Sequence, residues 1–495
     1  MAKDETLVPQ FSLGQPPTRT GLGGLPMTTT VIIAVGFFLF LFAQLVGQGP
    51  FGFLVILPVT GLVALIVTVQ WANRSLATTM RMVIQHASRK SAREDYYLSG
   101  ENSRVPGGCH RLPGVLARTY CVSGVDSDNQ PFAAIVDRPA RTATVAFDVQ
   151  LTGQTPMTQQ ERNAKTAEWS RWLSLLSLSG DIESAVTVVA VRPGTGQLVA
   201  QEVESIVVEG VPQVAAQVLH EAGQVLSSGV PEILTHIAVT IKIDGDALTD
   251  GSFMDQLATR LPGLYRSLSW AGMIASPMDE EALVGRIHGF YNPASEADFE
   301  VLEIAGLRHD LPWQEAGPGF AHHAADHYAH EGCTSVTWEM KDAPRSTFED
   351  TLLTGLLAPH PRIQRKRVAL VYRPIEAGKG VSRVESEHRD ALVAANSSKK
   401  IRSANAELRL EHTDAARRAQ ARGAQLGLYS LFVTATAAPD EDLERIKHDV
   451  QQLGAGASVR LSLMNRQHDT GFVASCGVGQ LPWAKETIAP AKSLA

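Results

Sequence analysis

The chain has 495 residues, of which 44% are hydrophobic and 19% are charged, a composition typical of a folded globular protein rather than a disordered one. Its formal net charge of −7 argues against a nucleic-acid-binding surface that covers the whole chain. The four cysteines have no CxxC spacing, which favours reduced cytosolic thiols over a disulfide framework: Cys109, Cys121, Cys333 and Cys476.

Two uncharged apolar runs, residues 31–47 and 51–69, follow a Gly-, Pro- and Thr-rich start. Each run is close to the roughly 17–25 residues that a helix needs to cross a bilayer. Glycine and proline at Gly47, Gly49 and Pro50 predict a turn between them. We therefore expect a tail at residues 1–30 and a transmembrane helical hairpin at residues 31–70, with the lipid bilayer as a partner.

Basic residues decide the expected orientation of this hairpin, because they are retained on the cytoplasmic side. The turn has none, whereas the segment after the hairpin carries Arg74, Arg81, Arg89, Lys90 and Arg93. The sequence therefore predicts an inner-membrane protein with two spans and with both ends in the cytoplasm. Residues 71–95 are expected to form a juxtamembrane helix.

The remaining chain alternates strand-like and helical segments, which predicts an α/β (α+β) fold of mixed βαβ, ferredoxin-like domains. We divide it into a first cytoplasmic region at residues 96–330 and a second at residues 331–495. Helices are predicted at residues 159–178, where Trp169, Trp172 and Leu176 share one face, and at residues 348–357. Residues 384–425 are charged and alanine-rich, and this pattern predicts a long helical-hairpin arm. Whether the two regions are separate domains or one continuous sheet is left open.

A histidine-rich segment is the sharpest candidate for chemistry; it contains His322, His323, Asp326, His327, His330 and Cys333. On a helix, His323, His327 and His330 would share one face at a spacing that a zinc ion could use. However, the sequence has no HExxH motif, and metal sites normally take a ligand from a second element. The favoured interpretation is a set of polar histidines on a helix flank, with a membrane-anchored metalloenzyme as an alternative.

A basic cluster, Arg362, Arg365, Lys366 and Arg367, lies beside a predicted apolar strand at residues 367–374. It could contact phosphate or nucleic acid, although a solvated turn or salt-bridge partners are the favoured interpretation. The glycine clusters lack the spacing of a P-loop or a dinucleotide fingerprint. We predict no catalytic residue and no cofactor.

Several separated motifs occur in an order that resembles the conjugal-transfer integral membrane proteins of actinobacteria. They are Cys109 to Gly114 (CHRLPG), Arg260 to Gly263 (RLPG), Ser335 to Met340 (SVTWEM), Ala343-Pro344, Leu356 to Pro361 (LLAPHP), Arg365 to Val368 (RKRV) and Val371 to Pro374 (VYRP). The resemblance covers nearly the whole chain and implies a short two-helix membrane region joined to a long cytoplasmic part.

The C-terminal part also resembles the non-catalytic N-terminal domain of conjugative type IV secretion ATPases, through Asn465 to Ala474 (NRQHDTGFVA). Only about twenty residues follow, too few for a nucleotide-binding domain of roughly 200 residues. The resemblance therefore implies a non-enzymatic docking component of a conjugative, type IV-like secretion apparatus. It would present a cytoplasmic platform to a separate ATPase, to other secretion subunits and to copies of itself. A type VII secretion membrane subunit is the alternative within this class.

Overall fold

A computed structural model describes residue 11 and residues 27–71, 74–100, 103, 112–151, 157–206, 212–227, 230–342, 344, 347–396 and 404–481. Within this part, the chain divides into two compact units. One contains residue 11, Tyr96–Leu392 and the described residues from Thr413 onward, and the other contains the described residues between 27 and 95 together with those between 393 and 412. Most of the predicted tail, Cys109 to Arg111 of the first motif, and Ala343 lie outside the described residues.

The N-terminal unit consists mainly of apolar helices. Its elements are α1 (Met27–Leu45), α2 (Gly49–Phe51), a π-helical turn (Gly52–Ile56), α3 (Leu57–Thr68), the short strands β1 (Gln70–Trp71) and β2 (Arg74–Ser75), and α4 (Leu76–Ala92). Among the described residues, one helix is long and apolar enough to cross a membrane, Gly49–Thr68, with 20 residues and a mean hydropathy of 2.5. The apolar part of α1, Thr29–Leu45, is shorter than that helix.

Helices α1 and α3 contact each other along their length. The Thr29 and Thr68 hydroxyls lie 3.0 Å apart, and the rings of Phe40 and Phe53 meet edge to face with centroids 5.0 Å apart. Between these contacts, a Cβ atom at Gly36 would lie 2.2 Å from the Thr60 methyl group, so only glycine fits there. The predicted turn follows α1 at Gly47, whose φ is +77°.

The larger unit is built on a single sheet, which has thirteen strands in the described part of the chain. The strands are β3 (Tyr96–Leu98), β4 (Thr119–Val125), β5 (Pro131–Asp137), β6 (Thr142–Leu151), β7 (Ile182–Pro193), β8 (Pro231–Lys242), β9 (Met273–Pro277), β10 (Phe320–His323), β11 (Tyr328–His330), β12 (Cys333–Asp342), β13 (Arg365–Pro374), β14 (Gly427–Ala437) and β15 (Arg460–Leu463). The order is β3-β10-β11-β12-β14-β13-β7-β8-β6-β5-β4, with β15 beside β12 and β9 beside β6. Every one of these pairings is antiparallel.

Twelve further α-helices lie between or after these strands in the described chain. They are α5 (Gln159–Leu178), α6 (Gln197–Ile206), α7 (Gln213–Ser227), α8 (Gly245–Asp250), α9 (Phe253–Leu268), α10 (Glu280–Tyr291), α11 (Glu296–Ile304), α12 (Thr354–Leu357), α13 (Ala377–Asn396), α14 (Ala404–Ala421), α15 (Leu443–Gly456) and α16 (His468–Ser475). Helix α5 begins at a capping box, in which Thr158 and Glu161 satisfy each other's backbone N–H groups.

The sheet contains the same four-strand arrangement twice. In the first repeat, β6, β7, β8 and β9 follow each other in the chain and are ordered β9-β6-β8-β7 in space. In the second, β12, β13, β14 and β15 are ordered β15-β12-β14-β13. Each repeat carries a pair of helices between its second and third strands, α6 with α7 and α13 with α14. Strands β7 and β13 pair with each other, from Lys366 opposite Val191 to Tyr372 opposite Ala185, and so join the repeats into one sheet.

The strand register shows which residues occupy equivalent positions in the two repeats. Phe147 of β6 lies opposite Ile237 of β8 and Pro277 of β9. Trp338 of β12 lies opposite Val433 of β14 and Leu463 of β15 in the same way. Both aromatic side chains are fully buried, which places a large apolar residue at the centre of each repeat.

Apolar side chains cover both faces of the sheet. One face packs against α5 and α9 in the first repeat, through Trp172 and Leu261, and against α15 in the second, through Ile446 and Val450. The opposite face packs against α10 and α16, through residues such as Phe290 and Phe472. The candidate site described below lies on this second face.

Most predicted elements of the α/β regions agree with the structure, with two clear errors. Residues 348–357 were expected to be a helix, but only Thr354–Leu357 is helical. The histidine-rich segment was also expected to be a helix and instead forms β10, β11 and the start of β12. The boundary drawn between residues 330 and 331 falls within the continuous sheet, between β11 and β12.

Candidate functional site

A cleft opens on the second face of the sheet, where β7 and β13 join the repeats. Its empty volume is about 340 Å³, including open solvent, and it is lined by the ends of both strands, by α10 and by Glu296. Three guanidinium groups contribute to the lining, Arg192 from β7 and Arg365 and Arg367 from β13. The cleft therefore lies at the junction of two structurally equivalent strands.

The side chains of the basic cluster lie on opposite faces of the sheet. Because successive side chains of a strand alternate, Arg365 and Arg367 share one face and Lys366 points to the other. Arg367 lies opposite Ala190 of β7, so Ala190 and Arg192 belong to the same face as the two arginines. The basic cluster was predicted to lie beside the strand, whereas β13 begins at Arg365 and contains three of the four members of the cluster.

Glu296, at the start of α11, is the buried carboxylate of the cleft, with 6% of its surface exposed. It forms an ion pair with Arg365 and lies 3.7 Å from Arg192. Burial raises the pKa of the Glu296 carboxyl, although both arginines oppose that shift. One carboxylate thus neutralises part of the charge of two arginines.

Arg192 has a second carboxylate partner at the edge of the cleft. Its Nε donates a hydrogen bond of 2.7 Å to Glu232, which lies on β8. Burial alone would lower the pKa of Arg192, but the nearby carboxylates outweigh burial and raise it. Arg192 is therefore firmly charged, and its side chain keeps about a fifth of its surface exposed.

Arg367 is the most enclosed cation of the cleft, with 5% of its surface exposed. Its guanidinium carbon lies 4.3 Å from the ring centroids of both Phe290 and Phe472. The Nη2 group donates a hydrogen bond of 3.3 Å to the Ser475 hydroxyl, and the Nε–H group has no hydrogen-bond partner. Burial lowers the pKa of this group, and no carboxylate of the described residues lies within ion-pair distance of it.

The two other members of the basic cluster, Lys366 and Arg362, contact different parts of the protein. Lys366 is 1% exposed, and its Nζ donates a hydrogen bond of 2.8 Å to the Ala358 carbonyl oxygen. Burial lowers the pKa of Lys366 to about 8. Arg362 precedes the strand and pairs with Asp449 of α15 at 3.1 Å. The expectation of a solvated turn is wrong for Lys366 and Arg367, which are buried.

The histidines of the predicted metal segment are not gathered at one site. By the strand register, His323 and His330 lie on one face of the β10–β11 pair and His322 on the other, while His327 lies between the two strands. His322 stacks on Tyr96 with ring centroids 4.3 Å apart, and His323 lies 3.2 Å from the Asp469 carboxylate. His327 is paired with the neighbouring Asp326 at 3.0 Å. Among the described residues, no group of three or more His, Cys, Asp or Glu side chains could hold a metal ion.

His330 is fully buried in a hydrogen-bonded chain rather than exposed on a helix flank. Its Nδ1 bonds the Tyr291 carbonyl oxygen, and its Nε2 lies 2.7 Å from the Ser335 hydroxyl, which in turn lies 2.7 Å from the Thr436 hydroxyl. Burial lowers its pKa to about 4, so the ring is neutral at pH 7. Cys333, at the start of β12, is half-buried and is a free thiol whose pKa is raised by burial. These side chains contribute to packing of the sheet.

Sequence reasoning missed Arg192 and Glu296 as partners of the basic cluster. Glu296 lies 69 residues from Arg365 along the chain, and no local pattern links them. Arg192 carries a weak signal, because Val191-Arg192-Pro193 ends β7 as Tyr372-Arg373-Pro374 ends β13. In comparisons with known proteins, the chain matches no protein-family model and no curated protein.

Proposed function

We propose that this protein is a membrane-anchored docking component of a conjugative, type IV-like secretion apparatus. The observation that carries the membrane part is the exposure of large apolar side chains on α1 and on the continuous helix Gly49–Thr68, because water-soluble surfaces seldom leave such patches uncovered. Phe38 is 69% exposed, Phe42 64% and Leu54 77%. A lipid environment would cover them.

We further propose that α1 and the helix through α3 form the two spans of a membrane hairpin. The 19 residues of α1 extend about 28 Å at 1.5 Å per residue, close to the roughly 30 Å hydrocarbon thickness of a bilayer. The contacts between Thr29 and Thr68 and between Phe40 and Phe53 support an antiparallel pair. Close approach at Gly36 is a usual means of packing membrane helices.

For the cytoplasmic part, we propose that each four-strand repeat is a ferredoxin-like domain. The spatial order fourth-first-third-second, with helices in the crossovers, supports this assignment. In the second repeat, α13 and α14 would form the arm that meets the ATPase. ATP hydrolysis would come from that separate subunit, and copies of this protein would assemble beside each other.

The test is purification of the tagged full-length protein from its native membrane in mild detergent, followed by mass spectrometry of the proteins that accompany it. Recovery of a P-loop ATPase together with conjugation subunits is the expected result. Recovery of small paired helical substrates of type VII secretion, or of no secretion subunit, would contradict it.

A matched pair of variants tests whether the arm makes the contact. Val393 and Leu408 are exposed apolar side chains of α13 and α14, 67% and 48% exposed. The double variant Val393→Asp with Leu408→Asp should lose the ATPase from the purified complex. Leu178→Asp, at the exposed end of α5 with 60% exposure, should retain it.

A further inference from the structure

We propose that the cleft between β7 and β13 binds a tetrahedral oxyanion, such as a phosphoryl group, through Arg192, Arg365 and Arg367. This inference is independent of the membrane and secretion proposals, because it rests only on the cleft. The carboxylates near the cleft are not evenly shared among its three arginines. Glu296 is the carboxylate of the lining, Glu232 pairs with Arg192 at the edge, and Glu300 also acts on Arg192.

The guanidinium group of Arg367 is only partly hydrogen-bonded. Arg367 is buried and charged, lines the cleft, and has a Nε–H group without a hydrogen-bond partner. Two aromatic rings and one hydroxyl offset only part of the cost of burying such a charge without a counterion. A bound oxyanion would supply both the missing charge and the missing acceptor.

The shape of the guanidinium group indicates the class of ligand, because guanidinium forks match the oxygens of phosphate and carboxylate groups. Glu232 and Glu296 pair with Arg192 and Arg365, which leaves Arg367 without an ion-pair partner among the described residues. Phe290, the aromatic ring of the lining, is 7% exposed and already packs on Arg367, which leaves it no free face for a nucleobase. The geometry therefore favours recognition of the oxyanion itself, whether free or carried on a small molecule.

The experiment is a binding titration of the full-length protein in neutral detergent at constant ionic strength. Sulfate, inorganic phosphate and AMP are the probes, and chloride is the reference. Sulfate and phosphate should bind with saturation and raise the thermal unfolding midpoint, as expected for a ligand of the folded state. AMP binding as tightly as phosphate would identify a carried phosphoryl group as an acceptable source, whereas phosphate alone would identify the free ion.

Two variants of residues that line the cleft should change the affinity for sulfate in opposite directions. Arg192→Gln should weaken sulfate binding about tenfold, the equivalent of one charge-assisted hydrogen bond. Glu296→Gln should tighten it about tenfold, because the competing carboxylate is removed while its volume is kept. Arg171→Gln, whose side chain is 63% exposed on α5, is the control and should bind as the wild type does.

Arg367→Gln tests the buried group directly, and Arg367→Lys covers the case in which the first variant does not fold. The Arg367→Lys variant keeps the positive charge but loses the planar guanidinium fork. It should therefore also bind sulfate about tenfold more weakly than the wild type does. The proposal is overturned if no probe stabilises the wild type beyond chloride. It is equally overturned if Glu296→Gln and Arg192→Gln leave the affinity unchanged.

Discussion

Lys366 is a buried cation whose Nζ donates a hydrogen bond to a carbonyl oxygen rather than to a carboxylate. It lies on the face of β13 opposite the cleft, and its Nζ bonds Ala358 at the end of α12. Burial disfavours the charged ammonium form of Lys366 and lowers the pKa of this side chain to about 8. In the unfolded chain Lys366 would have the ordinary pKa of a lysine, so folding and proton release are linked at this residue.

The sign of this linkage follows from the two pKa values. Below about pH 8 the lysine is protonated in both states, and the folded state bears the full cost of burying the charge. Between about pH 8 and pH 10.4 the unfolded state binds more protons, so this residue's contribution to stability rises with pH. We expect the stability difference, Lys366→Met minus wild type, to fall by about 1–3 kcal/mol over that window.

Thermal unfolding of both proteins, followed by tryptophan fluorescence across that pH range, checks this prediction. Other titrating groups are common to the two proteins and cancel in the difference. A difference that stays constant with pH would show that Lys366 titrates normally in the folded state.

The basic cluster shows how far residue-level reasoning from sequence extends. Its position at an apolar strand was predictable, and strand alternation separates Lys366 from its arginine neighbours once the strand is known to begin at Arg365. The burial of Arg367 was not predictable, because it depends on α10 and α16, which are remote in sequence. The ion pair with Glu296 has the same origin. The partner of Lys366, Ala358, is close in sequence, but no local pattern predicts that contact.

Helix α16 illustrates a constraint at the scale of an element, since it packs closely on the sheet. Gly471 permits that approach: a Cβ atom there would lie 2.6 Å from the Met464 sulfur and 2.8 Å from the Thr337 methyl group. The same helix provides Phe472 and Ser475, which contact Arg367. A displacement of α16 would therefore move side chains that contact Arg367 in the cleft.

We expect Gly471→Ala to destabilise the protein by about 1–3 kcal/mol, the usual cost of overpacking a core. Gly456→Ala is the matched control, because no atom lies within 4 Å of its Cβ position at the end of α15. That variant should be neutral or slightly stabilising, since alanine favours a helix over glycine by up to about 1 kcal/mol. Thermal unfolding midpoints compare the two, and equal midpoints would contradict close packing at Gly471.

Elements with a strong pattern were predictable, and those that depend on tertiary contacts were not. Helix α5 was predicted at its observed limits, because its cap and its buried Trp172 and Leu176 are local signals. The segment from Phe320 to Cys333 was misjudged because histidines at helical spacing outweighed its turn signals. The turn between β11 and β12 uses Glu331 and Gly332 at φ values of 42° and 76°, a conformation that ends any helix.

At the scale of the whole molecule, the repeated strand order explains why two regions predicted separately form one sheet. Each repeat places its second strand at an edge, and an exposed edge presents unpaired backbone groups. Pairing β7 with β13 satisfies both edges at once. The sequence showed two rounds of similar elements, but the pairing between them is a long-range contact without a local signal.

The proposed two-span anchor makes a definite topological prediction. If both apolar helices cross the bilayer, Gln48 between them lies outside the cytoplasm, while the N-terminus and the sheet-bearing unit lie inside. In intact cells, a membrane-impermeant maleimide should label Gln48→Cys, and an N-terminal epitope tag should resist added protease. Ser127→Cys, in an exposed turn between β4 and β5, is the control and should be labelled only after the membrane is opened.

The outcomes separate the possible anchors. Labelling of Gln48→Cys together with protease cleavage of the tag would show a single span through Gly49–Thr68, the helix that meets the length and hydropathy requirement. Protection of both sites would show that neither helix crosses the bilayer. The two-span arrangement requires an accessible Gln48→Cys and a protected tag in the same cells, because only two crossings return the chain to the side on which it began.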